Sequence, residues 1–364
     1  MFNPFLIAFL FLSPILFLSP SVLSIAALQW YQFGYFSSSI NLFQVQFFMY
    51  GIFFLSIISL FDNPKRLYQD EYIKWFLLLA FINVYSHPKT INSFLIVFLG
   101  FLLFYLVSVC FDQKSVKKVF IAIAIVASLN TGFAVLQAMN IHLIYHPSPT
   151  HEVIGLMGYK THLGIYQALA MPICYALNPW LMVVPMIGLL LSKSGTAIIP
   201  AIIGMAYFFR NKIFSNSILI CVAAACFLVL IKNFHKFILR FDVWGESLKT
   251  ISQHWVTGYG FNVFKYIGHD LEKKIYTDSY SIYFDVTHWL GVGGLIVIFL
   301  FLKDNFFKVK MDDNFGKALF SSCLILAIVG VGYSFMDYPR LAGTAIILFG
   351  LLGIYNKEKE SLFL

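Results

Sequence analysis

Residues 119–139, VFIAIAIVASLNTGFAVLQAM, contain no charged side chain, and stretches like this recur from end to end of the chain. Lipid offers backbone N–H and C=O groups no hydrogen-bond partner, so a segment that crosses it must be a helix of about 20 mainly apolar residues. A content of 60% hydrophobic and 12% charged residues leaves too little polar surface for an ordinary soluble globule. The chain therefore reads as an integral membrane protein. Apolar runs place spans at 5–29, 41–61, 73–87, 91–111, 119–139, 164–178, 179–193, 195–210, 213–231, 283–302, 317–335 and 341–355. The expected architecture is all-α, a polytopic membrane protein of about twelve helices forming one membrane domain over 1–364. The third, sixth, seventh, eighth and last runs are short for a hydrocarbon core of ~30 Å, which suits tilted, broken or half-buried helices. The apolar N-terminus opens without a positive region, so no cleavable signal is expected.

Lysine and arginine orient the chain. The connections holding Lys65, Arg66 and Lys74, then Lys114, Lys117 and Lys118, then Arg210 and Lys212, fall on one side of the twelve-span arrangement. Lys303, Lys308, Lys310 and Lys317, and the tail with Lys357 and Lys359, fall there too. That side is expected to be cytoplasmic, with both termini on it. The opposite short connections carry Lys89, Lys160, Lys193 and Arg340, and one long excursion, 232–282, is expected to form a large external loop with amphipathic helices. The net charge of +8 is accounted for by this topology and by that loop, so it is no argument for nucleic-acid binding.

The five cysteines, Cys110, Cys174, Cys221, Cys226 and Cys323, fall in expected spans and suggest neither a disulfide frame nor a metal cage. The histidines are distributed unevenly. His87, His142, His146, His151, His162, His235, His254 and His269 map to external connections or their edges, and His288 to the outer part of the tenth span. Either the external face holds a polar site that needs groups titrating near neutrality, or these rings settle at headgroup depth. His142, His146 and His151 lie in a proline-containing loop, whose spacing does not by itself make a metal site.

The external loop holds the least typical stretch, RFDVWGESLKTISQHWVTGYGF, residues 240–261. Lys232, Lys236 and Arg240 recur every four residues, which on a helix stacks them along one face. Trp244, Leu248, Ile251 and Trp255 follow at amphipathic spacing, and their face would lie on the bundle or at the membrane interface. Gly258 and Gly260 then end the helix and permit a tight turn or a close approach of backbone to a ligand. A cationic stripe at the outer headgroup level suits a phosphate or pyrophosphate, and arginine adds a bidentate fork that lysine lacks.

The ordered set of motifs resembles the O-antigen ligase and O-antigen polymerase family. The series Arg240, Trp244, Gly258, Gly260 and Phe264 is similar to that family's external loop. GLMGYKTHLGIYQALAMP, 155–172, resembles its glycine-started segment entering a span and ending in proline, and LLLSKSGTAIIPAIIG, 189–204, its Ser-x-Ser segment. TDSYSIYFDVTHWLGVGGLIVIF, 277–299, resembles the segment returning to the membrane through Gly291 and Gly294. The resemblance covers about residues 150–302, with two departures. Gly195 stands where many members carry arginine, leaving Lys193 as the nearby cation, and Asp278-Ser279 stands where ligases usually have a His-Asn pair.

The resemblance implies a GT-C-like glycosyltransferase on the external side of the bacterial cytoplasmic membrane. It would transfer or polymerise a glycan from an undecaprenyl-diphosphate carrier, with inversion and with neither metal nor cofactor. Partners would be the lipid-linked donor, an acceptor glycan or lipid A core, and membrane lipids. Negative charge grows on the departing diphosphate, so cations must be aimed there. Arg240 is the first choice, with Lys193, Lys236 and Lys232 in support and Gly258 and Gly260 in the adjacent turn. Asp278 is placed for a base that takes the acceptor proton, with His269 and His288 in reserve. A carrier of lipid-linked sugars is the alternative, although such carriers usually keep ionisable groups at mid-membrane and repeated halves. A non-catalytic envelope scaffold and a cell-wall glycan polymerase of the shape-and-division type are further readings.

Overall fold

Apart from short pieces within 74–111, the computed structural model describes residues 113–141, 152–210, 234–260, 270–271, 274–275, 279–307, 313–335 and 339–361. The expected spans 5–29, 41–61 and 213–231 lie outside these residues. The described residues are overwhelmingly helical. The helices are α1 (Gln113–Ala138), α2 (Lys160–Leu177), α3 (Val183–Ser192), α4 (Gly195–Phe208), α5 (Phe234–Gln253), α6 (Ile282–Phe307), α7 (Asn314–Gly332) and α8 (Pro339–Ser361). A 3-10 turn, Pro179–Met182, leads into α3, and Asp270–Leu271 pairs antiparallel with Lys274–Ile275 as a two-residue ladder. That ladder sits in the expected external loop, where the sequence pattern pointed only to helices.

Three stretches are long and apolar enough to cross a membrane, Lys114–Ala138, Ile282–Asp304 and Asn314–Gly332. Pro179–Ser192, Gly195–Phe208 and Leu341–Tyr355 are apolar but shorter. At ~1.5 Å per residue, neither α3 nor α4 reaches across a ~30 Å core. Together they make a short hairpin that turns at Lys193, which takes a left-handed conformation (φ 50) to close α3. Asn178 starts the 3-10 turn by accepting the Trp180 N–H at 3.0 Å.

The hairpin is held against α2, which is buried from Thr161 to Cys174 without a break. A helix apolar all round belongs in the centre of a bundle, and α7 lies beside it. Small residues set these contacts, as expected where lipid supplies no hydrophobic drive between helices. A Cβ at Gly164 of α2 would lie 2.8 Å from Ser192 Oγ and 2.9 Å from Ser194 Cβ. One at Gly188 of α3 would lie 2.6 Å from Thr131 Oγ1 of α1. Hydroxyls add cross-helix bonds, from Thr131 to the Val184 carbonyl at 3.1 Å and from Ser322 to the Leu169 carbonyl at 2.8 Å. Outward-facing apolar residues such as Ile121, Ile125 and Leu129 on α1 are exposed at one-turn intervals, which is the pattern of a lipid-facing flank.

The tightest of these contacts yields a prediction. A Cβ at Gly204 of α4 would fall 2.3 Å from Ile325 Cγ1 and 3.2 Å from the Ser321 carbonyl of α7. Gly204→Ala should force the two helices apart at a cost of about 1–3 kcal/mol, read as a lower thermal unfolding midpoint in lipid discs.

Candidate functional site

The site begins with two amides that interrupt the apolar run of α1. Gln137 Oε1 accepts the N–H groups of Ile154 (3.0 Å) and Gly155 (2.8 Å), while its Nε2 donates to the Gly155 carbonyl (3.2 Å). Asn130 Oδ1 accepts the Leu156 N–H at 3.1 Å. Buried polar side chains are costly unless bonded, and here they fix the segment that delivers the first turn of α2. Gly155 and Gly158 take positive φ within it, and Lys160 is ion-paired to Glu152. The result is a fixed position for His162, whose Nε2 shares a 2.7 Å hydrogen bond with the hydroxyl of Tyr333. Tyr333 follows α7 directly, and the Tyr159 ring meets His162 edge-on at 5.2 Å.

Arg240 reaches the same place from another helix. Its Nη2 donates to Thr196 Oγ1 at 3.0 Å, in the first turn of α4, and a Cβ at Gly332 would lie 3.0 Å from its Nη1. Arg240 is half-buried. The guanidinium thus lies between the N-terminus of α4 and the end of α7, one residue before Tyr333.

A third group closes the arrangement. Asp285 in the first turn of α6 is buried and accepts hydrogen bonds from the Ser279 N–H (3.3 Å), the Ser279 hydroxyl (2.6 Å) and the Ser334 hydroxyl. Ser281 donates to the Gly330 carbonyl at 3.3 Å, and Trp244 Nε1 of α5 to the Ser279 carbonyl at 3.1 Å. A buried carboxylate persists only when so provided for. This one ties α5, α6 and the end of α7 together. Asp285→Ala, which leaves those donors buried without an acceptor, should lower stability by roughly 2–4 kcal/mol. Asp285→Asn, which keeps the shape and one acceptor oxygen, should cost less in the same thermal unfolding experiment.

The amphipathic face of α5 is oriented differently from the Trp244–Leu248–Ile251–Trp255 grouping. Its buried side is Val243, Ser247, Thr250 and Ile251, whereas Ile238, Phe241, Leu248 and Trp255 are exposed. At 100° per residue the buried side is rotated by roughly 80° from that grouping. Small Ser247 and Thr250 permit the close approach. Trp244 is half-buried, its ring 5.8 Å from that of Phe284. The apolar stripe of Ile238, Phe241, Leu248 and Trp255 is therefore exposed rather than turned into the bundle of described helices.

The other expected residues fall as follows. Lys193 is exposed at the tip of the α3–α4 hairpin, three residues before Thr196. Lys236 is one turn before Arg240 on α5. Lys232, His269 and Asp278 lie outside the described residues, as do His87, His142, His146 and His151. His288 is buried, and its carbonyl accepts the Tyr259 N–H at 2.6 Å. Gly258 approaches backbone very closely: a Cβ there would lie 2.7 Å from the His288 carbonyl oxygen and 2.6 Å from that of Trp289. Gly260 has φ 103 and is also buried. The turn after α5 thus sits on α6 at its kink, where Gly291 has φ 68 and ψ −168.

Among the described residues no group of three His, Cys, Asp or Glu could hold a metal ion. No family model matches the chain, and a comparison with curated proteins returns no match. Thr196, His162, Tyr333, Ser334 and Asp285 were not singled out as a group by sequence pattern. His162 and Tyr333 are 171 positions apart, and no local spacing announces such a pair.

Proposed function

We infer that the protein is a membrane glycosyltransferase of the O-antigen ligase and polymerase kind, acting at the external face of a bacterial cytoplasmic membrane. Its chain of about twelve spans would be GT-C-like. It would take a glycan from undecaprenyl diphosphate and pass it to a second lipid-linked glycan or to lipid A core.

The observation that carries this reading is the bond from Arg240 to Thr196 in the first turn of α4. The leading N–H groups of a helix have no partner within it and carry a positive partial charge. Half-helices that begin at membrane depth use such ends to hold anionic substrate groups. A guanidinium laid against that turn, with exposed Lys193 just before it, makes a concentrated positive site suited to a diphosphate. The reaction asks for this, because charge grows on the diphosphate as its bond to the sugar breaks. The outward apolar stripe of Ile238, Phe241, Leu248 and Trp255 suits a helix half-embedded at the interface, which would keep Arg240 at headgroup depth.

The test is glycan transfer by the purified protein in lipid discs, supplied with undecaprenyl-diphosphate oligosaccharide, with and without lipid A core. A ladder that stays on the carrier lipid identifies a polymerase, and a single-step product on core a ligase. Donor binding without any product under either condition would replace this reading with a carrier.

A further inference from the structure

Transfer to a hydroxyl needs a group that accepts its proton, and a hydrogen-bonded tyrosine–histidine pair begins one residue after the glycine beside which the cation lies. Arg240 rests against Gly332, and Tyr333, the next residue, carries its hydroxyl to His162 Nε2 at 2.7 Å. Tyr333 therefore links the two chemistries: its chain neighbour Gly332 adjoins the guanidinium and its own phenol meets an imidazole. Both side chains are nearly buried, with 8% and 9% of their surfaces exposed, and both are held by independent elements. His162 is fixed by the α1 amides through the segment before α2. Tyr333 is fixed by the Asp285–Ser334 bond one residue further on.

We propose that Tyr333 and His162 form the proton relay of the transfer, an assignment that rests on the glycosyltransferase reading of this site. The acceptor hydroxyl hydrogen-bonds to Tyr333 Oη, while the tyrosine hydroxyl donates to His162 Nε2. As the acceptor oxygen bonds to the anomeric carbon, the bond from that carbon to the diphosphate oxygen breaks, and its electron pair leaves with undecaprenyl diphosphate beside Arg240. The acceptor proton passes to Tyr333 and the tyrosine proton to His162, which becomes imidazolium. Tyr333 ends neutral, as it began. The relay commits the substrate class: the acceptor is a hydroxyl, and it approaches on the His162 side of Arg240.

The experiment measures donor binding and single-turnover transfer separately, in lipid discs, for wild type, Tyr333→Phe, His162→Ala and the double variant. Tyr333→Phe removes only the hydroxyl. Both single variants should bind undecaprenyl-diphosphate oligosaccharide as wild type does and transfer about 10²–10⁴ times more slowly. The double variant should be no slower than the worse single one, because the two groups act as one unit. A structural hydrogen bond would give the same coupling, so the pH dependence of the single-turnover rate is read beside it: the fall in rate at low pH that a histidine proton acceptor imposes on wild type should be absent from His162→Ala. Wild-type transfer by Tyr333→Phe overturns the relay whatever His162→Ala does, and so do losses that multiply in the double variant. If wild type binds no donor, the glycosyltransferase reading fails, and the relay with it.

Discussion

Arg240→Ala should lower glycan transfer by about 10²–10³-fold and weaken donor binding, while the thermal unfolding midpoint moves little. The magnitude is that of removing one well-placed donor from a site where charge develops in the transition state, about 2.7–4 kcal/mol. The side chain is half-buried and its bond is to a hydroxyl at the surface of α4, so truncation disturbs little packing. Arg240→Lys keeps the charge but not the planar fork, and should recover only part of the loss. Equilibrium binding of labelled undecaprenyl-diphosphate oligosaccharide, measured beside single-turnover rates, separates the two effects. Unchanged binding and rate in Arg240→Ala would remove Arg240 from the site.

Gly291→Ala should be the most destabilising single-methyl change in the α5–α6 region. The residue has φ 68 and ψ −168, a conformation open essentially to glycine, and a Cβ there would lie 2.2 Å from the Val256 carbonyl oxygen. Two hydrogen bonds cross at this point, Val292 N–H to the Trp255 carbonyl at 2.8 Å and Tyr259 N–H to the His288 carbonyl at 2.6 Å. Backbone strain and overlap together amount to about 2–6 kcal/mol. The change should lower the unfolding midpoint and also reduce transfer, because it unseats the turn that fixes the end of the helix carrying Arg240. Gly293→Ala is the control: a Cβ there would meet only Leu79 side-chain atoms, at 3.4 Å and beyond, and should be tolerated.

The helices of the described region were largely legible in the sequence. The run 119–139 lies within α1 and a following turn, 195–210 is α4 with two residues beyond it, and 317–335 lies within α7 and the segment after it. Helix ends were less legible, because charged residues such as Lys114 and Lys117 extend α1 beyond its apolar run. Hydropathy reports what tolerates lipid, and backbone hydrogen bonding reports where the helix stops. The division of 179–193 into a 3-10 turn and a ten-residue helix was foreshadowed by its shortness, and the runs 179–193 and 195–210 already implied a reversal at Lys193, but that both helices pack on α2 rather than mainly on each other was not foreshadowed.

The candidate site was legible in part. Arg240 stood out as a cation in an apolar chain, and Gly258 as a residue that permits close approach. The approach it permits is to the backbone of α6, which no pattern in 240–261 could reveal. The polar partners that matter most to the site, Thr196, Tyr333 and Asp285, are ordinary residues in apolar surroundings. Their significance comes from what lies across the bundle.

The sequence by itself determined the helical class, and that helices long and apolar enough to cross a membrane would be among its elements. Apolar runs without charge leave the backbone no other way to satisfy its hydrogen bonds. It also placed a polar, cation-bearing helix between two apolar regions. Only the tertiary structure decided which face of that helix turns inward and what its arginine touches. Those outcomes depend on contacts between residues far apart in the chain: Ser247 and Thr250 are small enough to pack, Gly291 admits the turn at Gly258, and the α3–α4 hairpin presents Thr196 to Arg240. Periodicity records one helix at a time, whereas the site is made where five of them meet.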